Sequence, residues 1–360
     1  MPKLNVLKLT GTPYDFGYQH GLAYRDAIHH FTEERVHLSS DPNWTGATLS
    51  RAEVLALGEA CLDEHRHYAP ELVDELQGMA DATGLGLAEL VIMNGFTDFV
   101  DVVYSAGQKN PTITHPIDDC TAFLVPASAT AEGYGFFGQT WDMHATATPY
   151  VILIEGQPAH GIPFLSFSTT GCVGMIGMNK AGIAVGINNI MGGDGQVGVT
   201  WPFVVRKILA QETLEAALAC ITEAKLAGAH NYVLLDKHGR GYNVEAMATR
   251  QHVEALDGQS IVHTNHCVYD SNRPIERERP LESLQSSQNR FNKAHELLTQ
   301  RPITEQHLMD LTREETTICL SPKPPLHVET CGAAIMRPAT GDFWAIWGKP
   351  TEGEYERFVL

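Results

Sequence analysis

The sequence lacks the features that mark membrane and exported proteins. None of its apolar runs approaches the roughly 20 residues needed to span a bilayer. Residues 1–10 alternate polar and apolar side chains, as a β-strand does, and have no apolar centre of the kind found in a signal peptide. We therefore expect a cytoplasmic protein with no membrane partner.

Basic residues are also scarce. The 360-residue chain has 25 Lys and Arg against 43 Asp and Glu, which gives a formal charge of −18. Because nucleic-acid binding depends on clustered Lys and Arg, we predict no nucleic-acid partner. The same charge favours a cationic small molecule over an anionic one by long-range steering, unless the acidic surface serves solubility alone.

Motifs for disulfides, metals and nucleotides are missing as well. Seven cysteines, an odd number without a CxxC spacing, fit a reducing compartment better than a disulfide framework or a structural zinc site. His263 and His266 have no third ligand at a recognisable spacing, so we predict no metal. The glycines of residues 171–174 and 192–195 do not open a helix at Rossmann or Walker spacing. We expect no cofactor.

The composition is that of an ordinary globular protein, with 43% hydrophobic and 19% charged residues. Apolar residues recur at helical spacing through the first hundred residues, and a polar connector with two prolines follows between Gly107 and Asp119. Helices are predicted at residues 13–36, 51–68, 70–83 and 87–103, with a loop at residues 41–46.

After residue 119 the pattern changes to short β-strands separated by glycine and proline turns. Strands are predicted at residues 121–125, 134–140, 150–155, 163–168, 173–178, 183–188, 231–236, 241–245, 252–256, 260–263, 328–337 and 342–348, and helices at residues 201–211, 213–226, 280–300 and 304–311. Strand groups flanked by helices predict two packed sheets covered by helices, although the sequence leaves the strand pairing open.

Cys120 opens the first strand of a predicted hairpin, and Asp142 closes the second. Pairing of the two strands would bring these residues near each other. Taken alone, the pattern fits a buried core cysteine and a turn aspartate better, since free cysteines are commonly inert core residues.

Four motifs favour a functional interpretation of this hairpin. They are Cys120-Thr121, residues 138–142 (GQTWD), residues 177–188 (GMNKAGIAVGIN) and residues 9–21 (LTGTPYDFGYQHG). In their residues, order and spacing they resemble the acyl-coenzyme A:isopenicillin N acyltransferase family (peptidase family C45) of N-terminal-nucleophile hydrolases, and residues 9–21 are similar to its propeptide signature. The resemblance implies an α+β fold, a four-layer αββα sandwich with a mainly helical N-terminal section.

The resemblance further implies that the precursor cleaves itself between Asp119 and Cys120. Cleavage would leave an α chain of residues 1–119, the helical N-terminal section, and a β chain of residues 120–360, the αββα catalytic portion, together one compact unit. The cleaved α chain would then be the partner of the β chain. Asp119 stands where the family commonly has glycine, so its effect on the rate of cleavage is open.

Cleavage would also provide Cys120 with its own base. A freed α-amine has a reference pKa of about 7.7–8.0 against roughly 10.4 for lysine, so one residue can supply both nucleophile and base near neutral pH. By resemblance, Asp142 would orient this amine. Gln139 stands where bile-salt hydrolase and penicillin V acylase relatives have arginine, so a charge next to the thiol is missing.

Acyl transfer needs donors for the oxyanion of the tetrahedral intermediate. Asn265 matches the family's oxyanion-hole asparagine, and Asn188 matches, less specifically, a second asparagine of the bile-salt hydrolase branch. Both also fit ordinary turn asparagines. Cys331 lies within an apolar predicted strand and is interpreted as a core residue.

We therefore predict a self-processing N-terminal-cysteine amidohydrolase that cleaves the C–N bond of a small linear amide through a Cys120 thioester. Candidate substrates, by resemblance, are β-alanyl amines such as carcinine and β-alanyl-dopamine. An amine acceptor in place of water would make the same site an acyltransferase for acyl-CoA or penicillin-type substrates. A non-catalytic binding module and a cleaved but inactive heterodimer are further alternatives, and a homo-oligomer is left open.

A separate basic segment contains Arg273, Arg277 and Arg279, interleaved with glutamates. It is predicted to be a solvated loop, with a clamp for a substrate carboxylate as the alternative.

Overall fold

The computed structural model describes residues 3–109, 119–323 and 327–360. Most of the connector predicted between Gly107 and Asp119 lies outside these residues. Within them, the helices are α1 Pro13–Ala23, α2 Arg25–Ser40, α3 Pro42–Thr45, α4 Arg51–Tyr68, α5 Pro70–Thr83, α6 Leu87–Asn94, α7 Phe96–Ala106, α8 Trp201–Ile208, α9 Leu214–Thr222, α10 Leu281–Leu297 and α11 Glu305–Thr312.

The strands belong to two large sheets and one short pair. In chain order they are β1 Asn5–Gly11, β2 Ala47–Thr48, β3 Gln108–Lys109, β4 Asp119–Val125, β5 Phe136–His144, β6 Val151–Pro158, β7 Phe164–Thr169, β8 Ile176–Asn179, β9 Ile183–Asn189, β10 His230–Asp236, β11 Gly241–Ala246, β12 Gln251–Ala255, β13 Ile261–His263, β14 Val328–Arg337, β15 Asp342–Trp347 and β16 Glu356–Val359. The eight-stranded sheet has the order β1-β6-β7-β8-β9-β10-β11-β12, and the six-stranded sheet has the order β13-β4-β5-β14-β15-β16.

The two large sheets pack face to face through β5 and β9. A Cβ atom at Gly186 would lie 2.2 Å from the ring of Phe137, so glycine is required for this close approach. The side-chain amide of Gln139 binds both the backbone N–H and the C=O of Ile187 on the facing sheet. Gln139 therefore joins the two sheets.

Helices cover the outer face of each sheet, which completes the predicted four-layer αββα order. Against the six-stranded sheet, Phe123 and Phe136 pack with Ala294 of α10 and Leu308 of α11. Against the eight-stranded sheet, the guanidinium of Arg206 from α8 lies 4.1 Å from the ring of Phe164. The predicted α+β fold is confirmed.

Several predicted elements differ from the structure at their ends. Residues 13–36 form two helices that break at Tyr24, and residues 87–103 form two that break at Gly95, where a Cβ atom would lie 2.3 Å from Thr200. The predicted loop at residues 41–46 contains the short helix α3, capped by the side chain of Asp41. Strand β5 continues past Asp142 to His144, and β16 was not predicted.

The N-terminal section is part of the same layers as the remainder of the chain. β1 pairs in parallel with β6, from Asn5 opposite Ile152 to Gly11 opposite Pro158. Among the described residues, no helix combines the length and the apolar character needed to cross a membrane. The division of the chain at Cys120 stays a prediction.

Two buried carboxylates of α7 also link the N-terminal section to the rest of the chain. Asp98 accepts a hydrogen bond from the backbone N–H of Trp201 at 3.0 Å. Asp101 Oδ2 accepts from the N–H groups of Gly192 and Ala229, each at 3.0 Å. Helix α7 therefore holds two loops that lie beyond residue 120.

Arg277 completes this contact, and its position corrects the prediction of a solvated basic loop. It donates to Asp101 Oδ1 at 3.2 Å and to the carbonyl oxygen of Thr45 at 2.9 Å. The side chains of Arg277 and Arg279 are 3% and 1% exposed, whereas that of Arg273 is 57% exposed. A buried carboxylate that is distant in sequence determines the burial of Arg277, which local charge patterning does not reveal.

Candidate functional site

Strand β4 places Asp119 and Cys120 beside the end of β5. Asp119 lies opposite Asp142, and Cys120 lies opposite Trp141. Since paired residues share one face of a sheet, Cys120 and Asp142 point to opposite faces. The thiol faces the other sheet, while both carboxylates face the covering helix α10.

Asn265, which follows β13, binds the backbone N–H of Cys120. Its Oδ1 accepts from Cys120 N at 2.7 Å and from Arg290 Nη2 at 3.0 Å, and its Nδ2 donates to the carbonyl oxygen of Asn189 at 3.1 Å. This arrangement fixes the orientation of the amide, because a flipped side chain would face two donors with its NH₂ group. Asn265 thus holds the N–H of the bond predicted to be cut.

A buried ion pair supports the segment that carries Asn265. His263 Nε2 lies 2.9 Å from Glu245 Oε1, and its Nδ1 lies 2.7 Å from the carbonyl oxygen of Thr264. Both ring nitrogens therefore have a buried oxygen partner, which fixes the imidazole between Glu245 and Thr264. Burial alone would raise the pKa of Glu245, but the hydrogen bond and charge of His263 lower it.

Ser287 of α10 supports the same segment. Ser287 Oγ accepts from Asn265 N at 2.9 Å and lies 2.8 Å from His266 Nδ1. Burial, with the positive charge of His263, lowers the pKa of His266 to about 4. His263 and His266 therefore bind different partners and brace Asn265 from two sides.

Arg290 of α10 is the central side chain that the sequence analysis missed. It is fully buried and donates to the carbonyl oxygen of Cys120, to Asp119 Oδ1 at 2.7 Å and to Asn265 Oδ1 at 3.0 Å. Ser283, Ser287 and Arg290 recur at helical spacing on one buried face of α10, and this polar stripe is the sequence signal that could have identified it. Arg290 supplies a cation near Cys120, whereas the amide of Gln139 is bound to the facing sheet.

Asp142 is fully buried beside the pair formed by Asp119 and Arg290. Its Oδ2 accepts from Thr140 Oγ1 at 3.3 Å. Burial raises the pKa of Asp142 to about 8, although the charge of Arg290 opposes the shift. In the uncleaved chain this carboxyl is therefore protonated at neutral pH, and an ammonium group formed beside it would lower its pKa again.

Asn188 lies on the inner face of β9. It precedes Asn189, whose carbonyl oxygen accepts from Asn265. Asn188 Oδ1 accepts from Asn231 Nδ2 at 3.4 Å, and Asn231 in turn donates to Asn243 Oδ1 at 2.7 Å. Asn188 Nδ2 is buried without a hydrogen-bond partner in the part of the chain that the structure describes. An unpaired buried donor is costly, so this amide is suited to binding an acceptor that enters the site.

Two cavities lie near Cys120, one beside Trp141 of the paired strand β5 and one beside Asp119 of β4. The inner one, on the thiol side, has a volume of about 40 Å³ and is lined by Trp141 and Ile187 together with Phe31, Arg35 and Phe96 of the N-terminal section. This volume holds about three water molecules. The outer cavity, of about 700 Å³, lies at the start of α10; its lining includes Asp119, Glu282, Ser283, Ser286, Glu315 and Lys323.

The structure brings the predicted site residues into one region. Asn265 contacts Cys120 directly, Asp142 lies one register position away, and Asn188 is linked through Asn189 to Asn265. Cys331 is buried within β14, as predicted for a core residue. The catalytic roles of these residues stay predictions.

Comparison with known proteins identifies a family for this chain. The sequence model described as "Acyl-coenzyme A:6-aminopenicillanic acid acyl-transferase" matches residues 129–352, a range that begins after Cys120 and contains Asp142, Asn188, Asn265 and Arg290. The acyl-coenzyme A:6-aminopenicillanic-acid-acyltransferase 40 kDa form of Emericella nidulans is 24% identical over 316 residues, which cover 86% of this chain and 82% of that protein. An uncharacterized protein of Archaeoglobus fulgidus is 27% identical over 214 residues, 55% of this chain and 34% of that protein.

Among solved structures, two similar ones share little sequence with this chain. A mutant of the conjugated bile acid hydrolase from Clostridium perfringens matches with a TM-score of 0.43 and 12% identity, over 67% of this chain and 97% of that chain. Penicillin V acylase from Agrobacterium tumefaciens matches with a TM-score of 0.39 and 13% identity, over 63% of this chain and 83% of that chain.

Proposed function

Since this chain belongs to the acyl-coenzyme A:6-aminopenicillanic acid acyl-transferase family and is an enzyme of acyl transfer or amide hydrolysis, we propose that Cys120 is its nucleophile. The substrate is a small linear amide, whose C–N bond is cleaved through a thioester on Cys120. Before it acts on this substrate, the enzyme cuts its own chain between Asp119 and Cys120.

The observation that carries the proposal is the set of contacts around one peptide bond. Asn265 binds the N–H of Cys120, and Arg290 binds both the carbonyl oxygen of Cys120 and the carboxylate of Asp119. These three contacts fix the residues on both sides of the bond. An inert core cysteine has no need for two buried polar side chains directed at its backbone.

The proposed maturation has two steps. The sulfur of Cys120 attacks the carbonyl carbon of Asp119, the C–N bond breaks, and the nitrogen of Cys120 takes up the thiol proton to become a free amine. Water then hydrolyses the thioester and releases Asp119 as a carboxylic acid. The products are an α chain of residues 1–119 and a β chain of residues 120–360.

In turnover, the same sulfur attacks the substrate carbonyl while the freed amine of Cys120 carries the proton. Asn265 retains its hydrogen bond to this amine, and Asp142 stabilises its charged form. Two asparagines serve the oxyanion. Asn265 is the one assigned by resemblance, and the buried Nδ2 of Asn188 supports a second donor.

The acceptor that resolves the thioester defines the second candidate function. Water gives an amide hydrolase, and an amine gives an acyltransferase, which the family description favours. β-Alanyl amines are the substrate candidates that the resemblance implies, and the chain's charge of −18 suits their ammonium group at long range. A non-catalytic binding module is the alternative without chemistry.

The intact mass of freshly purified protein tests the proposal. We expect wild type to separate under denaturing conditions into two fragments that divide between Asp119 and Cys120, and Cys120→Ala to stay whole. Cys331→Ala is the matched control, because it removes another fully buried thiol and should leave cleavage unchanged. Cleavage of Cys120→Ala would contradict Cys120 as the attacking group, and an intact wild type would contradict self-processing and favour the binding module.

A further inference from the structure

Among the described residues Arg290 forms one ion pair, and the carboxylate of that pair belongs to the proposed α chain. Its guanidinium is fully buried and lies 2.7 Å from Asp119 Oδ1, the sole ion pair of Arg290 within residues 3–109, 119–323 and 327–360. Removing one member of a buried pair is strongly destabilising, because the remaining charge loses its direct partner. Asp142, the carboxyl beside this pair, is the partner proposed for the new amine of Cys120. Once the bond after Asp119 is cut, nothing covalent keeps the Asp119 carboxylate on Arg290.

Asp119 is also the first acyl group that Cys120 would handle. Its carbonyl carbon forms the first thioester, and its side-chain carboxylate lies on Arg290 and accepts from Ser286 Oγ at 3.3 Å. The carboxylate is separated from the reacting carbonyl carbon by two carbons. The uncleaved chain therefore displays an acyl group of defined length and charge in the site.

We infer that the mature enzyme binds amides whose acyl group carries a carboxylate two carbons beyond the reacting carbonyl carbon, as in aspartyl and succinyl amides. This inference rests on the proposed function. Arg290 and Ser286 form the subsite for this carboxylate. The incoming carboxylate takes the place of Asp119 and restores the charge balance of Arg290.

The outer cavity provides room for this group. Asp119, Ser283 and Ser286 line it, and its volume of about 700 Å³ lies within the range of small-molecule sites. Ser283 Oγ is buried and has no hydrogen-bond partner among the described residues, and α10 begins next to it, at Leu281. The N-terminal end of a helix favours an anion.

The cavity also restricts the charge of the acyl group. Glu282 and Glu315 line the same space and outnumber its lysine, Lys323, so a second negative charge placed near these glutamates is disfavoured. A β-alanyl group has the same length as a succinyl group but places an ammonium where the carboxylate would lie, against Arg290. The local charge of the site thus opposes the preference for cations that the whole-chain charge predicts at long range.

The covalent step needs no additional reactant. The bond between Cys120 Sγ and the acyl carbon forms as the C–N bond of the amide breaks. The thiol proton passes through the amine of Cys120 to the leaving amine. Water then cleaves the thioester, which returns the thiol and releases the free dicarboxylic acid.

Three amides of one aromatic amine test the inference on the mature enzyme: N-succinyl, N-β-alanyl and N-(4-methylpentanoyl), the last being a neutral compound of the succinyl shape. We expect kcat/KM for the succinyl amide to exceed that of the neutral amide by at least about tenfold, the effect of one charge-assisted hydrogen bond. The β-alanyl amide should react most slowly. Equal rates for the succinyl and neutral amides would overturn the inference.

A matched pair of variants assigns the effect to the subsite. Ser286→Ala should lower kcat/KM for the succinyl amide several-fold and leave the neutral amide unchanged. Ser105→Ala, which alters an exposed serine of α7 outside the cavity, should leave both unchanged. An equal loss on both amides in Ser286→Ala would indicate a general structural role and contradict the inference.

The failure of the inference and that of the proposed function are distinguishable. A cut enzyme that hydrolyses the neutral amide as fast as the succinyl amide refutes only the subsite. A cut enzyme that hydrolyses none of the three contradicts the proposed turnover, and protection of Cys120 from iodoacetamide then tests the subsite. The subsite is supported if the succinyl amide protects Cys120 at lower concentrations than the neutral amide does. It is refuted if the two amides protect Cys120 equally. An uncut chain refutes both, because Asp119 then stays on Arg290.

Discussion

At the scale of a single residue, the protonation state of Asp142 can be measured in the uncleaved chain. Burial raises its pKa from 3.8 to about 8, so between these values the folded chain binds a proton that the unfolded chain releases. The unfolded state then binds fewer protons than the folded one. Stability therefore falls as the pH rises from about 4 to about 8.

We expect Asp142→Asn to weaken this pH dependence. In the uncut Cys120→Ala background, urea unfolding at several pH values between 5 and 8 should show a smaller loss of stability with pH when Asp142 is replaced. The difference in slope is at most about 1.4 kcal/mol per pH unit for one proton. Buried Asp98, Asp101 and Glu75 have raised pKa values and add to the same trend, so the comparison between variants is what isolates Asp142.

Asp270→Asn, at a side chain that is 91% exposed, serves as the control and should keep the original slope. An unchanged slope in the Asp142 variant would mean that this carboxyl is already ionised in the folded precursor. The proposed role of Asp142 beside a new ammonium group would then need no change of protonation on cleavage.

Site residues were predictable from sequence where a local motif carries them. Cys120 opens a strand after a connector, and Asn265 lies in a short segment after another strand, so both could be located from pattern and resemblance. Arg290 was missed, because a charged residue on a helix usually faces solvent and its partner Asp119 lies 171 residues away. The polar stripe of α10 indicates which face of the helix is buried, but only the three-dimensional contact shows that Arg290 binds the residues around Cys120.

At the scale of secondary-structure elements, α7 is one of the helices of the N-terminal section that bind loops beyond residue 120. Asp101 accepts from two backbone N–H groups and from Arg277. Burial raises the pKa of Asp101 to about 7, while the charge of Arg277 opposes the shift. Asp101 therefore anchors α7, and its loss would leave Arg277 buried without its ion-pair partner.

We expect Asp101→Asn to destabilise the uncut chain by about 3 kcal/mol, the usual cost of breaking a buried pair by removing one partner. Urea unfolding of the Cys120→Ala background measures this difference. Glu33→Gln, at an exposed partner of Arg51 with 68% of its side chain accessible, should change stability by less than about 1 kcal/mol. Similar effects for the two variants would show that Asp101 is not an anchor.

Element prediction succeeded where periodicity alone decides the structure. Residues 51–68 and 70–83 form helices with the predicted ends, since α4 begins at a capping box formed by Ser50 and Glu53, and Gly84 ends α5 with φ 83°. The break at Gly95 depends on contact with Thr200, which no local signal reveals. The short strands β2 and β3 exist through pairing with each other, so sequence periodicity could not predict them either.

At the scale of the whole molecule, the predicted cut falls inside a shared core. The N-terminal section contributes β1 to the eight-stranded sheet, and the ring centroid of Phe16 lies 6.3 Å from that of Phe164. Glu75 and Arg206 form a buried pair across the same boundary at 3.5 Å. Separating the fragments would expose this apolar surface and the backbone groups of β6, both of which are costly in water.

We therefore expect the two fragments of the mature enzyme to stay together. Size-exclusion chromatography under native conditions should give one peak containing both, at the elution volume of the uncut Cys120→Ala protein, and urea should separate them. The inner cavity gives this association a functional consequence, because Phe31, Arg35 and Phe96 line it from the N-terminal section. Elution of residues 120–360 alone with full activity would contradict the shared core, and it would mean that the β chain completes the site by itself.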